Sequence, residues 1–250
     1  NLGWLKQVVY DRWRAGDPEH EVIQFESTVN PAFPRAEYER ARRVLPTWKF
    51  RMFYEGMFDR PAGLIYSDFV DEYREKGGHK VRPFPVPPEW PRHVGIDFGA
   101  VNTARVVLAH DPQANVYYLY SESLEGGCTT AEHAARAKKA VEGTNVRTWH
   151  GGAPSETQQR MDWQAAGVPL LEPPVSDVES GIDRVIELFK SFRLYVFDSC
   201  TGILDELGTY SREVDDLGNP TEAIKDKEQF HRLDALRYAV LGLSGGFYFA

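Results

Sequence analysis

Residues His93-Val94-Gly95-Ile96-Asp97-Phe98-Gly99 constrain the fold more than any other stretch of the chain. They read as a short buried strand that ends in one acid. A Gly-containing turn leads on into a second apolar strand, Arg105-Val106-Val107-Leu108-Ala109. A carboxylate at the end of a core strand is costly to bury unless it is paired or holds a cation. Asp97 is therefore the first residue to explain, with a turn cap at Asn102-Thr103 as the plain alternative. A second strong stretch, His231-Arg232-Leu233-Asp234-Ala235-Leu236-Arg237-Tyr238, reads as helix. There Asp234 follows His231 by three residues, so the two project from one side of that helix.

The rest of the chain organises around these two stretches. Leu2, Trp4, Leu5, Val8, Val9 and Trp13 suit an amphipathic helix stopped at Gly16-Asp17-Pro18, and Val22 to Phe25 reads as a strand. A charged helix is expected from Arg35 to Leu45, and an aromatic-rich run of irregular strands from Phe50 to Tyr66. Pro83, Pro85, Pro87, Pro88 and Pro91 cannot occupy a helix or a central strand, which predicts an extended linker over 76–92. Residues 1–90 are thus expected to form an appendage and linker, and 91–250 the main domain. In that domain strands are expected at 93–98, 104–110, 116–121, 146–149 and 194–198. Helices are expected at 129–141, 156–166 (capped by Ser155), after a Ser176/Glu179 capping box, at 204–211 and at 227–243. Three strands in a meander, then strands alternating with helices, predict an α/β fold with a mixed five-stranded sheet and helices on both faces.

The chain has 250 residues and a formal net charge of −8, which argues against a passive DNA-binding module. It leaves room for an enzyme that clusters carboxylates around metal. Cys128 and Cys200 stand far apart with no metal-binding spacing, which argues against a structural zinc site and a disulfide framework. No apolar run is long enough to span a membrane. The sequence lacks a phosphate-binding P-loop and a nucleophile elbow. Two further acids are candidates. Glu156 stands in the first turn of a helix after the fourth strand, and Asp198 ends the fifth strand as Asp97 ends the first. A set of carboxylates with at most one His favours hard cations such as Mg²⁺ or Mn²⁺. A pair of such ions can activate water against a phosphodiester.

These residues resemble a known family. Gly95-Ile96-Asp97-Phe98-Gly99, Val196-Phe197-Asp198 with Leu204-Asp205-Glu206-Leu207 and Tyr210, and above all the His231-to-Tyr238 helix look like the nuclease domain of the large terminase subunit of tailed bacteriophages, which is ribonuclease H-like. Phe25-Glu26-Ser27-Thr28-Val29-Asn30-Pro31-Ala32-Phe33-Pro34 and Phe53-Tyr54-Glu55-Gly56-Met57-Phe58 resemble the segment that joins the terminase ATPase to its nuclease, so the ATPase core is expected upstream. The resemblance implies an endonuclease that cuts concatemeric viral double-stranded DNA in the host cytoplasm, at the procapsid, with the portal protein and small terminase subunit as partners. Asp97 and Asp234 would be metal ligands and His231 would lie beside the metal. The family's second acid has no clear counterpart in Trp149-His150-Gly151-Gly152-Ala153-Pro154-Ser155-Glu156; Glu156 or Asp198 is expected to serve. Arg212, Lys225, Lys227 and Arg232, around a polar excursion at 211–228, are the expected phosphate contacts. Two other readings compete: a degenerate nuclease fold kept as a docking module, and an actin- or sugar-kinase-like ATPase suggested by Gly-Ile-Asp-Phe-Gly.

Overall fold

The computed structural model describes residues 6–44, 50, 53–56, 63–99, 101–215 and 219–243. The chain forms two compact units, one of residues 1–65 with 208–227, the other of 66–207 with 228–250. The division therefore falls at 65/66 and not at residue 90.

The second unit is built on a six-stranded sheet. Its strands are β1 (Lys80–Val81), β2 (Pro91–Phe98), β3 (Asn102–Asp111), β4 (Val116–Gly126), β5 (Asn145–Gly151) and β6 (Leu194–Phe197). They lie in the order β1-β6-β4-β3-β2-β5. β3 is antiparallel to both β2 and β4, and the remaining neighbours pair in parallel. The sixth strand was not expected from the sequence. Lys80 and Val81 pair with Val196 and Phe197. Buried His79 holds this edge in place: its Nδ1 accepts the Val70 N–H at 2.8 Å, so its Nε2 carries the proton toward the Phe189 carbonyl at 2.9 Å.

Segment 83–91 is pinned to the sheet and does not act as a free linker. Prolines lack an N–H but keep their carbonyls. The Arg92 side chain, 1% exposed, donates to the carbonyls of Trp90 (2.6 Å) and Pro87 (2.8 Å). Phe84 and Trp90 pack on Tyr118.

Five helices accompany the sheet: α1 (Thr130–Ala140), α2 (Thr157–Ala165), α3 (Val178–Lys190), α4 (Thr201–Thr209) and α5 (His231–Leu241). The Thr129/Glu132 capping box forms as expected. Two caps differ from expectation. Asp177 caps α3, its shorter carboxylate accepting the Ser180 N–H at 2.8 Å where Ser176 was expected. Glu156, and not Ser155, occupies the N-cap position of α2.

Strand alternation decides which residues of β2 meet which helices. Val94 and Ile96 point to one face, into a core with Val107, Ala134, Ala137, Trp149, Trp163 and Leu170 beneath α1 and α2. Each fully buried Val, Ile or Leu of this kind contributes about 2 kcal/mol. Gly95 and Asp97 point to the other face, where α5 packs across β2 and β3 with α3 beside it. A Cβ on Gly95 would stand 1.9 Å from the Ala235 carbonyl oxygen, so glycine is what allows α5 to approach.

The first unit is described by its own elements. A π-helical turn Lys6–Tyr10 continues into the helix Asp11–Arg14, and the chain turns at Gly16 with φ +84°; residues 1–5 of the expected helix lie outside the described residues. The expected strand at Val22–Phe25 does not form. Among the described residues its backbone pairs with no strand, and Ile23 and Phe25 are 74% and 62% exposed. The helix Arg35–Val44 forms, with Arg40 donating to Glu37 at 2.8 and 2.9 Å. Most of the expected Phe50–Tyr66 strands fall outside the described residues. The polar excursion contains a hairpin of Arg212–Val214 and Pro220–Ile224, tied to Gly63 by the Arg212 N–H at 2.8 Å.

Candidate metal centre

Two elements bring the first acids together. Asp97 is the penultimate residue of β2 and is 8% exposed. Because Gly95 admits α5 at close range, the first turn of that helix sits over the end of the strand. His231, the first residue of α5, then places Nδ1 2.8 Å from Asp97 Oδ2. Gly99 leaves room for the imidazole, since a Cβ there would lie 2.7 Å from the ring. Asp234 follows one turn later, where the buried Arg237 guanidinium donates to its carboxylate.

The third acid arrives from the neighbouring parallel strand. β5 pairs Gly151 with Ile96, and a turn at Gly152 (φ +76°) leads into α2. Glu156 stands at the start of that helix, where its Oε2 accepts the Ala153 N–H at 2.6 Å. The electrostatics tie the group together. Burial raises the Asp97 carboxyl above the usual range; the His231 hydrogen bond opposes this and the Asp234 charge reinforces it. Burial also raises Glu156, the Ala153 N–H opposes, and the charges of Asp97 and Asp234 add to the rise. Tyr238 is raised by burial and then by Asp97 and Asp234. Asp97 and Glu156 are thus each made harder to ionise by burial and by the neighbouring carboxylate charges. No three of their ligand atoms, His231 included, lie within 4.8 Å of one another. His231 and Arg237 already occupy an oxygen of Asp97 and of Asp234. An all-carboxylate donor set with excess negative charge fits a hard divalent ion that could take the place of those partners.

The Asp97 hydrogen bond, and then its charge, raise the His231 pKa. A base raised on folding adds stability that is complete below its unfolded pKa, about 6.5, and is lost as pH rises through the higher folded value. Titration of the His231 ring by NMR should therefore give a midpoint above 6.5 in the metal-free chain, falling toward 6.5 in Asp97→Asn.

A neighbouring polar cluster escaped the sequence reading. Both Glu122 oxygens accept N–H groups at the start of α4, from Gly202 and Ile203, each at 2.7 Å. Glu206 accepts the Leu233 N–H at 3.0 Å and pairs with Arg232 at 2.9 Å. Arg232 also lies 3.3 Å from Glu122. Burial pushes Glu206 up to about 7 against the pull of Arg232 and Leu233. The cluster fixes the first turn of α5, which carries His231 and Asp234. Nothing local in the sequence links Glu122, inside β4, with residues 80 positions away.

The remaining expected site residues lie elsewhere. Asp198 follows β6, and β4 and β3 stand between β6 and β2, a separation of about 14 Å for three strand spacings. Its carboxylate accepts the Tyr73 hydroxyl at 3.0 Å. Arg232 is no open phosphate contact, because Glu122 and Glu206 hold its guanidinium. Replacement by Met should lower the melting temperature, since it strips both carboxylates of their partner, and should leave the salt dependence of DNA binding unchanged. Arg212, in the first unit, donates to the Glu222 carbonyl across its hairpin at 2.6 Å. Lys225 and Lys227, also in that unit, are exposed.

Comparison with known proteins follows this geometry. No protein-family model matches the chain. The large terminase subunit of Escherichia phage T5 is 25% identical over 223 residues, which are 87% of this chain and 50% of that protein. The chain thus spans about half the length of the curated relative it matches. The nuclease domain of the P22 large terminase superposes with a TM-score of 0.53 at 24% identity, covering 66% of this chain and 87% of that domain. The nuclease domain of the bacteriophage SPP1 large terminase, solved with bound Mn, gives 0.50 at 18% identity, covering 64% and 94%. The chain is thus similar in sequence to a phage large terminase subunit, and its sheet and helices share the fold of the terminase nuclease domains.

Proposed function

We propose that this chain is a divalent-metal-dependent endonuclease that cuts concatemeric viral double-stranded DNA during genome packaging. The observation that carries the reading is the meeting of Asp97, Asp234 and Glu156 at one edge of the sheet, with Asp97 and Glu156 raised by burial and by their neighbours' charges. In the SPP1 relative a nuclease domain of this fold is solved with Mn. Here Asp97, Asp234 and Glu156 would hold Mg²⁺ or Mn²⁺, in the proposed form two ions. When bound, these would make water a stronger nucleophile and stabilise the leaving oxygen of the phosphodiester. The chain's own residues do the rest. Gly95 and the Glu122–Glu206–Arg232 cluster position α5. His231 orients Asp97 and holds a proton at its edge, which it gives up to solvent as pH rises through its raised pKa. Arg237 neutralises Asp234 until the acid is needed elsewhere.

Double-stranded DNA is the proposed substrate, with the portal protein and the small terminase subunit as proposed partners at the procapsid in the host cytoplasm. Lys225 and Lys227 are the proposed phosphate contacts. Replacing both by Ala should weaken DNA binding equally across sequences and reduce the slope of log K against log salt by about 2, one unit per lysine.

The separation of the carboxylate ligand atoms favours one other reading, a fold that has lost cleavage and serves as a docking module. Plasmid nicking and linearisation with Mn²⁺, with Mg²⁺ and with EDTA decides between them. Nicking that requires the metal supports the nuclease. Intact plasmid with folded protein and either metal supports docking.

A further inference from the structure

We infer that Glu125, Cys128 and His133 form a second metal site, of the zinc class, which clamps the end of β4 to the start of α1. Their carboxylate oxygen, thiol sulfur and imidazole nitrogen all lie within 4.8 Å of one another. The arrangement is built by the chain. Glu125 is the penultimate residue of β4, and Gly127 (φ +67°) turns the backbone back. The Thr129/Glu132 capping box fixes where α1 begins. That places His133 in the first turn of the helix, facing Glu125 with Cys128 between them. None of the three is freely exposed, and the buried Trp163 ring lines a pocket with Glu125 and His133.

The donor set selects the ion. One sulfur, one nitrogen and one oxygen suit Zn²⁺ or Co²⁺, whereas Mg²⁺ and Mn²⁺ prefer oxygen alone. Three protein ligands leave a fourth position for water. Binding would convert the Cys128 thiol to a metal thiolate and release its proton to solvent. Glu125 would exchange its Arg136 partner for the ion, and the two anionic ligands would balance the double positive charge. Burial lowers the His133 pKa, which keeps its ring neutral and able to ligate at pH 7. The wide spacing of Cys128 and Cys200 argued against zinc only because that reading requires two cysteines; one Cys with a His and a Glu meets the same need. This inference stands apart from the proposed nuclease centre, whose candidate ligands are Asp97, Asp234 and Glu156.

The test is a Co²⁺ titration of the whole chain, read by near-ultraviolet thiolate-to-cobalt absorption. The expected result is a band that saturates at one equivalent, is displaced by Zn²⁺ and not by Mg²⁺, and is retained in Asp97→Asn. It should vanish in Cys128→Ser and weaken at least about 10-fold in affinity in His133→Gln. Zn²⁺ should raise the melting temperature of the parent chain and not that of Cys128→Ser. Absence of the band, or a band that persists in Cys128→Ser, overturns the site. Should Cys128→Ser fail to fold by circular dichroism, His133→Gln decides: unchanged Co²⁺ affinity there overturns the site as well.

Discussion

Asp97→Ala is expected to remove the proposed metal-dependent DNA cleavage, with a fall of more than about 100-fold, and to leave the chain folded. The magnitude follows from position. Loss of a residue that merely supports a metal ligand costs about 10–100-fold, and Asp97 is placed as a ligand, at the centre of the carboxylate group. The fold survives because the ionised side chain works against it. Burial and the Asp234 charge raise the Asp97 pKa, so ionising this carboxyl costs the metal-free native state more than it costs the unfolded chain. The sign follows from linkage. An acid whose pKa rises on folding costs nothing below its unfolded pKa of about 4. The cost appears as pH climbs through the folded value and stays above it. Asp97→Ala should therefore melt at or above the parent temperature at pH 7 without metal, an advantage that disappears at pH 3. Cleavage assays and paired melting curves check both halves. Cleavage at the parent rate would remove Asp97 from the site.

Gly95→Ala should be strongly destabilising, lowering stability by about 3 kcal/mol and abolishing the proposed cleavage with it. The new Cβ would meet the Ala235 carbonyl oxygen at 1.9 Å and the Ala239 methyl at 3.0 Å. Both belong to a helix held at its first turn by Glu206, so α5 cannot slide away without breaking that contact. The acids it carries would move with it. Gly208→Ala is the matched control. Nothing lies within 4 Å of its Cβ position and φ is not positive. A helical glycine of that kind should gain about 0.5–1 kcal/mol on becoming alanine. Thermal melts of the two variants should move in opposite directions.

These two cases show which parts of the fold and the site could be read from the sequence. Asp97, His231 and Asp234 were legible because each sits inside a short pattern: a strand that ends in an acid, and a helix with two polar residues on one side. That these two stretches meet was expected too; the close approach at Gly95 was not legible, because its partner is a carbonyl 140 residues away. Glu156 could be named but not chosen over Asp198, since sequence gives strand ends and not strand order. The order β6-β4-β3-β2 separates them. Lys80–Val81 was missed because a two-residue edge strand among glycines and prolines shows no period. Val22–Phe25 misled for the opposite reason: its residues favour strands, but no strand among the described residues pairs with them. Arg232 read as an exposed cation because both of its acids come from other helices and strands.

The central claim is that Asp97, Asp234 and Glu156 form one divalent-metal site. The most direct test is Mn²⁺ binding followed by electron paramagnetic resonance, in a Cys128→Ser chain so that the sulfur-containing site does not contribute. Comparison is with the same chain carrying Asp97→Asn and Asp234→Asn. The account predicts saturable loss of the free Mn²⁺ signal in the first protein, and affinity at least about 100-fold weaker in the second. Equal Mn²⁺ binding by the two folded proteins would contradict it.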